Sequence, residues 1–379
     1  MKKFFSVLLT LLMLIPTGVS SNCTELNIDS SIPSYILIEA KTGRVLYEKE
    51  ADSKLFPASV TKVMTMLLIM EAIDSGRISY DDMVTASANA ASMGGSQVYL
   101  KEGEQFSVRD MLKSISMASA NDACVAMAEH LCGSEEAFVE QMNQKAKELG
   151  MVNTNFENTN GLDDTVTEHY TTARDIALMS RELINKHPDI LTFTSVWMDS
   201  VRNGDFGLTN TNRLVRFYRG ANGLKTGSTS KAGFCISAAA ERDGMQLICV
   251  IMKASTRDQR NEAAKKLLDH GFANFAAVSF EPEIISKQRV PGAEKETTSF
   301  FIEGCDALTV KGSQANIKRE YKLNKNIKAP LKKGDCVGEV IYSLDSELLY
   351  KGKVVALEDV NKITYIGLLS RLFTEIFGG

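Results

Sequence analysis

NGLKTGSTSKAGFCISAAAERDGMQLICVIM, residues 222–252, contains three short apolar-rich runs, the last two meeting at ERDG. Their period and the Asp-Gly turn signal predict strands, with GFCISAAA and MQLICVIM forming a hairpin. Downstream, QRNEAAKKLLDHGFANF (259–275) predicts a helix. At the other end of the chain, SYILIEA (34–40) and RVLYEKE (44–50) flank a KTG triplet and predict another hairpin. Between them lie helical stretches. FPASVTKVMTMLLIMEAIDSG (56–76) is apolar almost without a break from Val63 to Ile73 and reads as a buried helix starting beside Pro57. Ser107 with Asp110 resembles a capping box for VRDMLKSISM, Ser134 caps AFVEQMNQKAKEL, and TTARDIALMSRELI (171–184) is amphipathic. Strands at both ends with helices between them predict one α/β domain whose antiparallel sheet joins the beginning of the chain to residues near 278.

EPEIISKQRVPGAEKE (281–296) reads as a connection, and the short apolar runs up to about Leu357, separated by turns such as EGCD and KKGD, predict a small all-β domain. NKITYIGLLSRLFTEIFGG (361–379) predicts an amphipathic helix, with Tyr365, Ile366, Leu369, Leu372, Phe373, Ile376 and Phe377 on one apolar face. That face suits either a membrane interface or docking on the β domain. At the start, MKKFFSVLLTLLMLIPTGVSS reads as a secretory signal, with an uncleaved anchor helix as the alternative. Asn22 before Cys23 lacks the small-residue context of a lipoprotein site. The expected division is therefore 1–21 signal, 22–278 α/β domain, 279–358 β domain and 359–379 terminal helix, in an exported protein.

Losing Lys2 and Lys3 with the signal takes the formal charge from -4 to -6, which argues against a nucleic-acid partner. The four histidines are scattered, without HExxH or CxxC spacing, so neither a metal nor another cofactor is expected. Cys124 and Cys132 lie eight residues apart on one predicted helix, about 12 Å along its axis, too far to bridge. Cys235 and Cys249 fall on paired strands, one register step out of opposition and facing opposite sides. Free thiols are expected; the spacing leaves pairing of Cys305 with Cys336 open.

There is no GxSxG elbow and no Ser-His-Asp order, so a nucleophilic serine needs another base. Ser59 and Lys62 supply one: three apart on a helix, they share a face, and the unpaired N–H groups of the first turn would depress the lysine pKa. SxxK recurs at Ser228–Lys231, SAN at Ser87–Asn89, and KTG at Lys41–Gly43, so each triplet alone fits a solvated turn or cap. Order and setting discriminate. Only Ser59–Lys62, then Ser119–Asn121, then Lys225–Gly227 puts the three on a helix start, a helix corner and a strand, able to meet in one cleft. Ser119 would relay a proton, Asn121 would hold Lys62 and the substrate amide, and Lys225 would present positive potential to a carboxylate. Gly227 would let substrate backbone approach the strand, and the N–H groups of Ser59 and Ser228 would form an oxyanion hole.

SVTK, SAN and KTGST in this order resemble the penicillin-binding protein and serine β-lactamase superfamily, and most closely its low-molecular-mass D-alanyl-D-alanine carboxypeptidases. The likeness extends through ASANDACVAMAEH, NTNFENTNGLDD, HYTTARD and RNEAAKKLL, covering roughly residues 30 to 278. It implies that Ser59 attacks the bond between the terminal D-alanines of peptidoglycan stem peptides and is acylated by β-lactam antibiotics. It also implies that the substrate carboxylate meets Lys225, the hydroxyl of Thr226 or Thr229, and Arg260, with Arg257 as a substitute. Attachment to the outer face of the cytoplasmic membrane follows from the same layout. Two other readings compete. A class A-like β-lactamase would need a glutamate to activate water, for which Glu157 and Glu168 are the nearest choices and neither has the right context. A non-catalytic sensor would acylate without turnover. Cys124 is expected to be core rather than reactive, and Trp197 and Phe206 either line the cleft or pack.

Overall fold

The computed structural model describes residues 26–377; the signal stretch 1–21 and Cys23 lie outside the described residues. A five-stranded antiparallel sheet runs Val45–Lys49, Ser34–Glu39, Met245–Ala254, Gly233–Arg242, Ala221–Thr229 in spatial order. The first strand of the chain pairs with the last of the domain, Ile36 opposite Val250, so the sheet closes the domain on itself as the pattern predicts. Two-sided burial explains why these strands are nearly continuous in apolar residues. Ile36, Ile38, Ala239, Ile248 and Val250 face the large helical layer. Leu37, Ile236, Ala238, Leu247 and Ile251 face the helix Arg257–Asn274, meeting Ala264, Leu267 and Leu268.

The hairpin turns at Asp243–Gly244, both with positive φ, the geometry for which Asp-Gly is suited. A bulge between Phe234 and Ile236 shifts the register, and Cys249 lies opposite Ala238. Cys235 is therefore three residues out of opposition to Cys249, not one. An odd offset still sends the two thiols to opposite faces, Cys235 to the helical layer and Cys249 to the other. Cys305 and Cys336 are both free thiols.

The buried helix starts at Lys62, not beside Pro57: a 3-10 turn, Ala58–Thr61, precedes the helix Lys62–Asp74. Val108–Lys113 is capped by Ser107, whose Oγ accepts from Asp110 N at 3.1 Å, and it widens into a π turn, Ser114–Ala118. Ser119 follows with φ +63°, reversing the chain into Asn121–Cys132. The SAN triplet thus sits at a helix corner. The first KTG is a turn tip, where the buried carboxylate of Glu39 accepts from Lys41 N and Thr42 N.

The chain leaves this domain on Phe275–Phe280, which pairs with Cys305–Val310. The segment expected to be a connection contains a strand, Glu283–Gln288, because Ile285 reaches a second core built on Phe300, Ile302, Val340, Tyr342 and Val354. That strand edges a five-stranded antiparallel sheet with Thr298–Ile302, Glu347–Ala356, Cys336–Leu344 and Lys318–Leu323. The α/β domain, the small β domain and the terminal helix Tyr365–Phe377 are all present as elements. The helix does not bury its apolar face on the β domain: Ile366 is 79% and Phe373 64% exposed. Arg371 reaches across, donating to the carbonyls of Ala293 and Glu294.

Candidate active site

The 3-10 turn, the SAN corner and the edge strand Ala221–Thr229 converge on a cleft of about 480 Å³ lined by Ser59, Ser119, Thr226, Gly227, Ser228 and Arg260. Lys62 lies beneath it, fully buried. Its Nζ is 2.9 Å from Ser59 Oγ, 2.7 Å from Asn121 Oδ1 and 2.7 Å from the Asn160 carbonyl. Both carbonyl oxygens can only accept. A neutral amine gives its two N–H bonds to them, and its lone pair is left pointing at the serine hydroxyl. Burial pushes the Lys62 pKa down to about 8, against the opposing pull of the nearby Cys124 and Asp122 side chains. The expected cause was the helix terminus; the larger one is loss of water around the ammonium.

Asn160 is a site residue that reading the sequence missed. It contributes a backbone oxygen, held under the helix by the Thr65 hydroxyl on the Thr159 carbonyl and by Asn158 Oδ1, which accepts from Gly161 N at 2.7 Å. The stretch NTNG was quoted only for its likeness; its Asx pattern was the available signal for a tight loop.

Several expected roles change. Asn121 holds Lys62 through Oδ1, and its Nδ2 donates one of its two N–H bonds to Gly94 O at 2.7 Å. Lys225 does not face the cleft: it is fully buried and donates to Thr226 O at 2.9 Å. Its pKa is held well below the ordinary lysine value by burial first, then by the charges of Lys62 and Arg260. Thr229 Oγ1 donates to the Asp163 carboxylate and accepts from Ala232 N; of the two expected threonines Thr226 is the one that lines the cleft, its Oγ1 donating to Thr211 Oγ1 at 2.9 Å. Gly227 lines the cleft and is also required by the protein's own packing. A Cβ there would sit 2.7 Å from Ser59 N and 2.9 Å from Pro57 O, so the strand presses directly on the nucleophile turn. Gly227→Ala is expected to push that turn off its geometry and slow acylation of Ser59 by a β-lactam by about a hundredfold. Stopped-flow acylation checks this, and a wild-type rate would contradict it.

Arg260 is 3% exposed, its guanidinium held on Asn261 Oδ1 and the Cys235 carbonyl. Burial lowers its pKa to about 10. Arg257 and Arg213 also reach the cleft, and Arg213 had no flag in the sequence. Among the described residues none of the three guanidiniums forms an ion pair, whereas Arg174, Arg202, Arg242 and Arg319 each do. Three unpaired cations and no carboxylate on the lining make a receptor for an anionic group. Trp197 lines the cleft, whereas Phe206 packs against Tyr99. The Cys124 thiol is buried and pushed up to about 12, so it is core and inert. Glu157 is exposed and accepts from Thr167 N and Glu168 N, away from the lining.

Comparison with known proteins agrees with this geometry. The family model for D-alanyl-D-alanine carboxypeptidase matches residues 21–256, and that for the C-terminal domain of penicillin-binding protein 5 matches 282–362. The D-alanyl-D-alanine carboxypeptidase DacF of Bacillus subtilis is 43% identical over 98% of both chains. Penicillin-binding protein 5 from Haemophilus influenzae superposes with a TM-score of 0.81 at 33% identity, over 89% of this chain and 99% of that one. Penicillin-binding protein D2 from Listeria monocytogenes, solved in its ampicillin-bound form, superposes with a TM-score of 0.60 at 33% identity, over 65% of this chain and 99% of that one. On the strength of both the matched models and a relative aligned nearly end to end, this chain belongs to the serine-type D-alanyl-D-alanine carboxypeptidases.

Proposed function

We propose that Ser59 carries out the family's reaction on peptidoglycan stem peptides through an acyl-enzyme, with Lys62 as its base. The observation that supports this is the Lys62 amine, fixed by two carbonyls with its remaining valence toward Ser59 Oγ. Ser59 Oγ attacks the carbonyl of the penultimate D-alanine and its proton passes to Lys62 Nζ. The carbonyl oxygen becomes an oxyanion facing the N–H groups of Ser59 and Ser228. The C–N bond then breaks as the leaving amine takes a proton from Lys62; the Ser119 hydroxyl, which lines the cleft but is not bonded to Lys62 in the resting site, relays it once it turns toward the ammonium. Water attacks the ester, gives its proton to Lys62, and Ser59 is released with that proton. Arg260 and the Thr226 hydroxyl receive the substrate carboxylate, and Arg213 and Arg257 add to the attraction at the mouth. A β-lactam enters the same sequence through its ring amide, whose leaving nitrogen stays tethered.

A class A-like β-lactamase would need a cleft carboxylate to activate water, and none of the described lining residues is one. Mass mapping of a β-lactam adduct, together with assay of D-alanine release from a pentapeptide, tests the reading. A long-lived adduct on Ser59 and steady release are expected; fast β-lactam turnover would contradict it.

We read residues 22–278 as the catalytic unit, 279–358 as the β unit, and 359–379 as a contact with the outer face of the cytoplasmic membrane. No described helix is long and apolar enough to cross a membrane. The exposed apolar side chains of Tyr365–Phe377 suit lying in the interface instead. Removing residues 361–379 is expected to move the protein from the membrane pellet to the supernatant in cell fractionation. An unchanged membrane fraction would contradict this reading.

A further inference from the structure

His169 is 1% exposed and lies outside the cleft, edge-on to Phe156. Its hydrogen bonds nevertheless lead to the nucleophile. The backbone N–H of Glu157 donates to His169 Nδ1 at 3.1 Å, so that nitrogen carries no proton and Nε2 does. Nε2 lies 2.8 Å from Thr61 Oγ1. Thr61 spends its own single proton on the Ala58 carbonyl at 2.9 Å, so it can only accept from the ring. Both ends of the chain thus fix the same tautomer and the same direction, from Glu157 N–H through His169 and Thr61 to Ala58 O. Burial holds the His169 pKa down to about 4, which keeps the ring neutral and this polarity intact at neutral pH.

Ala58 has φ +48°, a left-handed conformation that a residue with a side chain keeps only when its surroundings impose it. Its carbonyl also presses on Gly161, where a Cβ would fall 1.8 Å from the oxygen. The Ala58 carbonyl and the Ser59 N–H belong to one planar trans peptide and point in opposite directions. Holding the oxygen toward Thr61 therefore aims the N–H away from it, toward Gly227 and the cleft.

We infer that His169 is a positioning residue for the oxyanion hole: through Thr61 it locks the Ala58–Ser59 peptide plane so that the Ser59 N–H meets the developing oxyanion. This rests on Ser59 as the nucleophile. It requires no contact between His169 and substrate, and it gives the HYTTARD segment a task in the chemistry.

The test compares His169→Leu, His169→Gln and Thr61→Val in the full chain. Each is assayed for the acylation rate at saturating β-lactam, the apparent Kd, and the infrared stretch of the acyl-ester carbonyl. Outright loss of an oxyanion donor typically costs about 10²–10³ in rate, and misdirecting one costs less. His169→Leu and Thr61→Val are each expected to slow acylation about tenfold, leave the Kd unchanged and raise the carbonyl frequency, reporting weaker hydrogen bonds to it. The double variant is expected to be no slower than either single one. His169→Gln, whose amide still donates to Thr61, is expected to recover most of the rate and the lower frequency. Thr61→Val decides the matter if His169→Leu does not fold. A wild-type rate with an unshifted band in Thr61→Val or in folded His169→Leu would overturn the inference. An adduct of the wild-type protein at a residue other than Ser59 would instead overturn the nucleophile assignment.

Discussion

Ser59→Ala is expected to cut D-alanine release from a pentapeptide ending in D-Ala-D-Ala by at least about a thousandfold, because it removes the only atom that can form the acyl bond. The backbone N–H of residue 59 survives the substitution, as do Arg260 and Thr226 on the cleft wall. Substrate affinity should therefore stay within a few-fold while turnover is lost. Ser119 and Ser228 also line the cleft, but Lys62 is bonded to neither. Neither hydroxyl should substitute. Intact-mass spectra should show no β-lactam adduct on the variant, and an adduct with retained turnover would move the nucleophile elsewhere.

Lys62→Arg keeps the positive charge and should still lose about a thousandfold in acylation, within the range that general-base catalysis supplies. A guanidinium does not shed its proton at accessible pH, so it has no lone pair to accept the serine proton. Lys62→Met should lose as much for a different reason. It has no basic atom, and it leaves Asn121 Oδ1 and Asn160 O without the donor they share, at a cost of about 1–3 kcal/mol for each buried acceptor. Thermal melts separate that structural loss from the chemical one. Folded variants with wild-type acylation would refute the role of the amine.

Much of this was legible because side-chain identity carries it. Short apolar runs and the Asp-Gly turn gave the hairpin at 233–254, and the order of three motifs picked the copies of SxxK, SAN and KTG whose elements meet at one cleft. What stayed hidden is carried by backbone. The Asn160 carbonyl, the left-handed Ala58 and the π turn before Ser119 have no residue code of their own, since any amino acid supplies a C=O. Gly227 was noticed, but its packing reason was hidden, because the turn that fills the space comes from 168 residues earlier at Ser59. Lys225 was expected in the cleft because its triplet lies on the lining strand. Alternation along that strand sends its side chain inward, toward Lys62, while Thr226 faces the cleft. The connection at 281–296 was misassigned because its prolines mask a strand of only six residues, Glu283–Gln288.

The pH dependence of the single-turnover acylation rate tests the neutral amine most directly. The Lys62 pKa, lowered by burial to about 8, leaves about a tenth of the amine unprotonated at pH 7. The rate should therefore climb as pH rises through about 8 and level off above it, and Lys62→Arg should lack that limb. A rate that is flat from pH 6 to about 9, or a limb that persists unchanged in Lys62→Arg, would contradict Lys62 as the base.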